Sequence, residues 1–360
     1  MNDCYYIDCI DLKSDSSGAV AILYYDVYPD KFINLTDGGY QSTSDTVISH
    51  IDKFYGEDVV FDNVIVTHND NDHAGGLRSI LEKYTVKNLW MLRPWLYADE
   101  LIDRFSRYRS IENLADALRE AYPNLAALED IAEKKGIKIL EPFQGVRIGK
   151  SVVLSPTKER FLDLIVESEK TPTPARESLF TESTFLGRAL EAVISFIKAS
   201  WGDENFSSED TTIENEMSIV QFIPCSHHNY LLTGDVGRAG LSNALDYLES
   251  LYGSLPKIHL FEAPHHGSRR NLSTELLDRM FGPRLSSDEK PKEGEEYFCT
   301  IIQATDNDPD HPRKAVERAL HHRGSKVCTP KGWFRHGRNK PPREGEGIAK
   351  GRPYPEEQEA

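Results

Sequence analysis

The chain has 360 residues, with 42 Lys+Arg against 58 Asp+Glu and a formal charge of −16. That length can bury a large core, as one mixed domain with insertions or as two domains. The surface as a whole should repel polyanions, so any role on nucleic acid requires a locally positive site.

Cys4, Cys9, Cys225, Cys299 and Cys328 are odd in number and widely spread, with no CxxC pair. This suits a reducing compartment better than a disulfide framework, and gives no cysteine metal site. The start, MNDCYYIDCIDLKSD, lacks a basic flank and an apolar run, and no stretch of about 18 uncharged apolar residues occurs. The expectation is a soluble, cytoplasmic protein that does not engage a membrane.

In chain order, YYIDCIDL, AVAILYYDVY and KFINLTDGG read as short strands separated by polar turns, and TSDTVISHIDKFYG as a helix with a Ser/Thr/Asp start. The strand FDNVIVTH follows. From about residue 77 to 135 the pattern is helical, with apolar residues three and four apart in NLADALREAYPNLAALEDIAEKKG. KILEPFQGVRIGKSVVLSPT returns to strand-like runs. Residues 158–212, with TPTPARES and a helical ALEAVISFIKASW, read as an insertion between two strands, as do the helices of 96–135. MSIVQFI, YLLTGD, KIHLFEAP and YFCTIIQA then read as strands, interleaved with the helical RAGLSNALDYLESLYG and RKAVERALHHRG. Residues 334–360 are polar and read as a mobile tail after a domain spanning 1–333. The order of elements suits two sheets with helices outside.

The densest chemistry lies in VTHNDNDHAGG, residues 66–76. His and Asp bind borderline and hard divalent ions, and a loop at a strand's end can converge several side chains on one point. His68, Asp70, Asp72 and His73 sit in such a loop. Downstream, LLTGD places Asp235 directly after an apolar strand, and EAPHHGS places His265 and His266 at the end of another. Each alone would be an ordinary turn or a solvated loop, whereas together they make a candidate metal site.

These stretches, with the early TDGG at Asp37 and Gly38, NEMSIVQF before YLLTGD, APHHGS, and TDNDPDHPRKAVERALHHRGSKVCTPKG, carry a resemblance to the metallo-β-lactamase superfamily. Within it, the chain resembles the nuclease-like domain of ComEC-type DNA-uptake proteins. The resemblance spans roughly residues 5 to 333 and implies an α/β fold, an αββα sandwich with helical insertions, holding one or two divalent ions, Zn²⁺ or Mn²⁺ with Mg²⁺ as an alternative. It implies His68 and Asp70 on a first ion, Asp72 and His73 on a second, Asp235 bridging, and His265 or His266 completing the second. The superfamily's usual His-x-His-x-Asp-His has Asp70 in its second position here, and no histidine stands near Ser155 and Pro156 where another ligand is usual. The first ion therefore looks short of ligands, and the extra carboxylate shifts preference toward harder cations.

Two cations sharing Asp235 would lower the pKa of a water toward neutrality and polarise the electrophile, so the implied function is a metal-dependent hydrolase of the phosphodiesterase or nuclease type. Its substrate would be DNA, RNA or a small nucleotide. Asp72 would orient the attacking hydroxide, and the unligated member of the His265/His266 pair, taken as His266, would serve with His311 as proton donor or phosphate contact. Ser268, Arg269 and Arg270, directly after the HHG loop, are candidate phosphate contacts. Two alternatives stand beside this. One is hydrolysis of a thioester, lactone or β-lactam; the other is a non-catalytic interaction module with the insertions as docking surfaces.

Overall fold

The computed structural model describes residues 3–171, 195–344, 346 and 350–360. Strands β1 (Cys4–Ile10), β2 (Ala21–Val27) and β3 (Asp30–Thr36) form an antiparallel meander, which β4 (Val60–Ile65), β5 (Thr85–Trp90) and β6 (Lys138–Leu140) extend in parallel. The hairpin β7 (Arg147–Ile148) and β8 (Ser151–Ser155) begins the second sheet, while β9 (Phe196–Lys198) lies outside it. Antiparallel β10 (Val220–Pro224) and β11 (Asn229–Leu232) come next, then β12 (Leu260–Glu262), β13 (Phe298–Ile301) and β14 (Ser325–Cys328) in parallel. β15 (Trp333–Arg338) returns to pair with β1, and β16 (Glu357–Glu359) pairs with β9. The sheet orders are β15-β1-β2-β3-β4-β5-β6 and β14-β13-β12-β11-β10-β8-β7.

Three apolar layers show how these sheets stack. Tyr5, Ile7, Leu23 and Tyr25 of the first sheet meet Ile223, Tyr230, Leu260 and Ile301 of the second in a core between the sheets. The first sheet's other face, with Leu35, Val64 and Leu89, packs against helical residues such as Val47, Ile51, Ile80, Leu114 and Leu128. The second sheet's other face, with Phe222, Leu231 and Phe261, packs against Leu241, Leu245, Leu277 and Val316. Helices therefore cover both outer faces, giving the αββα sandwich that the resemblance implies.

Local chemistry sets the helix ends. The helix Ile111–Ala121 starts where the Ser110 hydroxyl accepts from the Asn113 amide, and buries Leu114 and Leu118 four residues apart. Pro123 opens the next helix, Pro123–Lys135, and Gly136 closes it in the left-handed conformation that glycine adopts without penalty. Among the described residues, no helix is long and apolar enough to cross a membrane.

Three sequence expectations change. The helical reading of 77–135 misses β5, whose TVKNLW lies between β4 and β6 and buries Val86 and Leu89. In ALEAVISFIKASW, read as helical, residues 189–194 lie outside the described residues, and Phe196–Lys198 is strand β9. The tail 334–360 is no mobile appendage where it is described. β15 closes the edge of the first sheet, and Glu359 accepts from the Lys314 and Ala315 amides at 3.0 Å each, capping the helix Lys314–His321. Polarity misled here because these polar side chains find buried partners: Arg343 reaches Asp8 at 2.5 Å, and Arg335 pairs with Glu346.

Candidate metal centre

The ligand-bearing loops all follow the carboxyl ends of strands: Asp37 after β3, Thr67–His73 after β4, Asp235 after β11, His265 and His266 after β12, and Gln303–His311 after β13. This is the edge at which the parallel parts of both sheets leave their chain ends free to build a site. Close backbone approach locks the loops together. A Cβ on Gly76 would stand 2.0 Å from the Gly38 carbonyl oxygen, so only glycine fits there. The insertion helix Pro123–Lys135 adds a clamp, since Asn124 Nδ2 donates to the Asn69 carbonyl (2.7 Å) and the Leu125 amide to Asn69 Oδ1 (3.3 Å).

Asp72, His73, Asp235 and His266 each offer a ligand atom within 4.8 Å of the others. Asp235 is the pivot. Its Oδ1 lies 3.0 Å from His73 Nε2, while its Oδ2 lies 3.9 Å from His68 Nε2 and 3.7 Å from His265 Nε2. Asp72 Oδ2 faces His266 Nε2 at 3.0 Å and His73 Nε2 at 3.7 Å, and Asp70 Oδ2 faces His68 Nε2 at 3.8 Å.

The opposite nitrogen of each ring is tied, which fixes what Nε2 can do. His73 Nδ1 donates to Asp37 Oδ2 at 2.7 Å, and His266 Nδ1 to the Gln303 carbonyl at 2.8 Å. Thr67 Oγ1 donates to Asp37 Oδ2 (2.7 Å), so its lone pair accepts from His68 Nδ1 at 3.0 Å. His265 Nδ1 lies between Asn215 Nδ2 (3.2 Å) and the oxygen of Asn271 (3.3 Å), whose amide group donates to the Asp235 and Val236 carbonyls. Four imidazoles thus present Nε2 to carboxylates. His68 Nε2 and His73 Nε2 are buried with no hydrogen-bonding geometry. Imidazole nitrogens left in this way beside carboxylates fit the ligation of a cation.

Charge supports the same fit. Burial opposes ionisation of Asp72 and Asp235, but neighbouring imidazoles prevail: His73 and His266 hold Asp72 down to about 2, and Asp235 lies well below the usual carboxylate range. Burial likewise opposes charging of His73 and His266, yet Asp235 and the carboxylates around it raise both. Without a cation, protons on the imidazoles balance the carboxylates; a divalent ion supplies the same positive charge. His265, where burial dominates, is lowered instead.

Of the pair His265/His266, between which the sequence leaves the ligand open while taking His266 as the free member, it is His266 that belongs to the cluster of four. Both residues occupy the left-handed region, with φ of 49° and 52°, and this turn sends His266 to Asp72 and His265 to the other oxygen of Asp235. His311 joins them, its ring centroid 5.5 Å from His265 and 5.9 Å from His266, with Asp308 Oδ2 3.4 Å from its Nδ1. The candidate phosphate contacts are otherwise engaged: Arg270 pairs with Glu209, Arg269 donates to the Asn205 carbonyl (3.3 Å), and Ser268 Oγ accepts from the Arg270 amide (3.3 Å). Lys170, which the sequence did not suggest, sits on Asp70 Oδ1 at 2.7 Å.

Several supporting residues also escaped the sequence. Glu262 accepts from the Thr233 and Gly234 amides (2.8 and 3.1 Å) and from Gln303 Nε2, tying the Asp235 turn to the residue that orients His266. Of these only Asp37 had a visible signal, its TDGG turn, and nothing in it pointed to His73.

No family model and no curated protein matches this sequence. Among solved structures, a mutant of the CmlA β-hydroxylase aligns with a TM-score of 0.38 and 8% identity, covering 91% of this chain and 53% of that one. This chain thus spans about half the length of that protein. The metallo-β-lactamase SMB-1 bound to 2-mercaptoethanesulfonate aligns with a TM-score of 0.32 and 10% identity over 86% of this chain and 89% of that one. The hydrolase AbOPH of the β-lactamase superfamily gives 0.30 and 10% over 67% and 71%. At such scores these likenesses do not bear on the chemistry, which rests on the residues themselves.

Proposed function

We propose that the chain is a metal-dependent hydrolase of phosphodiesters, acting on nucleic acid or a nucleotide. The observation that carries the metal reading is the convergence of Asp72, His73, Asp235 and His266, with their ligand atoms within 4.8 Å of one another and the far ring nitrogens already tied. These four would hold one divalent ion. His68 and His265 each face the second oxygen of Asp235, and Asp70 faces His68, so these would be the donors for another.

When bound, such ions act as Lewis acids and make water nucleophilic near neutral pH. The protein does the rest. Asp37 and the Gln303 carbonyl hold His73 and His266 in the tautomer whose Nε2 faces inward. Asp72, on the loop surface and only part-buried, can orient the attacking water while binding. His311, beside His265 and oriented by Asp308, is placed to protonate a departing alkoxide. What favours a phosphodiester is the joint presence of the Asp70 substitution, the HHGS loop and the His311-Pro312 element, with paired cations suited to charge on both entering and leaving oxygens.

The test is cleavage of labelled single-stranded DNA, duplex DNA, RNA and small cyclic or linear nucleotides across Mn²⁺, Mg²⁺ and Zn²⁺, beside an Asp72→Ala, His73→Ala double variant. Metal-dependent cleavage lost in the variant is the expected result. Metal uptake with turnover of thioesters alone would replace the phosphodiester reading, and no metal uptake at all would leave an interaction module.

A further inference from the structure

A second cavity opens at the opposite end of the sandwich, where the amino ends of β11 to β14 meet β15. It measures about 680 Å³, within the range of small-molecule sites, and has no part in the metal centre. In a chain of formal charge −16, its lining is locally basic: Lys326, Arg335, Lys340 and Arg343 against Glu296 and Glu346.

Much of this charge is paired, since Arg343 reaches Asp8 at 2.5 Å and Lys340 donates to the Arg335 carbonyl at 3.1 Å, which leaves Lys326 as the cation to spare among the described residues. Glu346 is taken by Arg335 and lies 3.3 Å from Lys340, and Glu296 accepts from the Gly294 amide at 2.8 Å. The Lys326 ammonium has no ion pair or hydrogen bond among the described residues.

Aromatic surface accompanies the charge. His228 stands edge-on to His259 and His336, with centroids 5.6 and 5.0 Å apart, and Phe334 and the half-exposed Tyr297 line the same space. His259 Nδ1 accepts the Asn229 amide at 3.0 Å, so the ring's proton is on Nε2. His336 Nδ1 is buried and without a hydrogen-bond partner. Burial and neighbouring positive charge lower all three histidines, His336 to about 3, so near neutral pH they offer ring faces and hydrogen bonds rather than charge.

We propose that this cavity binds a nucleoside phosphate, its phosphates on Lys326 and Lys340 and its base among the rings of His228, His259, His336 and Tyr297. The ammonium groups suit a phosphate as point charges, and the uncharged rings suit a planar base by stacking. The site is independent of the hydrolase reading, because no residue of the metal centre lines it.

Calorimetric titration of the metal-free full chain with ADP tests the proposal, with adenosine and inorganic pyrophosphate as separate probes. One ADP per chain is expected, bound at least about tenfold more tightly than either probe. Lys326→Glu should weaken it by about tenfold or more, with an unchanged thermal melt, and Lys340→Gln by less. Asp72→Asn, which disables the metal centre, should bind ADP as the parent does. Absence of ADP binding, or equal affinity in a folded Lys326→Glu, would overturn the proposal. So would loss of binding in Asp72→Asn, which would place the nucleotide at the metal centre. Pyrophosphate binding as tightly as ADP would remove the nucleoside and reject the ligand class.

Discussion

The two ends of the sandwich each gather histidines, and the fold gives them opposite chemistry. At the carboxyl ends of the strands, His68, His73, His265 and His266 have Nδ1 anchored and Nε2 turned to Asp70, Asp72 and Asp235. At the amino ends, His228, His259 and His336 face one another and a set of lysines and arginines. Burial penalises the charged imidazole at both ends. The carboxylates outweigh that penalty for His73 and His266, which are raised, whereas nothing does so for the distal three, which are lowered. A histidine's role is therefore set by what the fold places around its second nitrogen: one end suits a cation, the other an anion.

The comparison breaks most sharply at Asp235, whose two oxygens serve both halves of the metal centre. Asp235→Asn should cost metal content and, on the proposed hydrolase reading, lower turnover on the order of 10³-fold, comparable to losing a dominant electrostatic group. Elemental analysis beside the rate would check it; a variant that keeps its metal and its rate would remove Asp235 from the centre. The next effect belongs to His311. His311→Gln should lower turnover by about a hundredfold while metal content stays constant, the loss growing with the basicity of the leaving group, as expected of a proton donor. An equal loss for good and poor leaving groups would instead make His311 a substrate contact. Smaller again is Asp37→Asn, which removes the acceptor behind His73 and should weaken metal affinity by about ten- to a hundredfold in a competition titration with a chelator.

What could be seen in the sequence divides along the same line. His68 to His73 lie within six residues, and Asp235 and the histidine pair each end an apolar strand, so local spacing alone exposed the metal loops. The choice between His265 and His266 was beyond it, because a left-handed turn at both positions decides which ring meets Asp72. Glu262, Gln303 and Asn271 act through contacts across 28 to 41 or so positions of chain, and no local pattern records such partners. β5 was hidden because its apolar residues, spaced three apart at Val86 and Leu89, also fit a helix. His228 and His259 immediately precede β11 and β12 and His336 lies on β15, so the three meet only when these strands come together.

The smallest expected effect sharpens the contrast through pH. His336 has a folded pKa of about 3, lowered by burial and then by His228, against an ordinary value of 6.5. Below about 6.5 the unfolded chain takes up a proton that the folded chain refuses, so this residue subtracts stability as the pH falls toward 3. His73 works in the other sense. Its raised value makes its metal-free contribution fully present below 6.5 and lost as the pH rises through the folded pKa, while a cation must displace its proton and therefore binds better at higher pH. His336→Gln should accordingly narrow the fall in melting temperature between pH 7 and pH 5, without altering the rise of metal affinity with pH. Melts and metal titrations at both pH values separate the two. If His336→Gln leaves the acid sensitivity as it was, the distal ring is already charged in the folded chain, and the cavity around it is more strongly cationic than its neutral histidines imply.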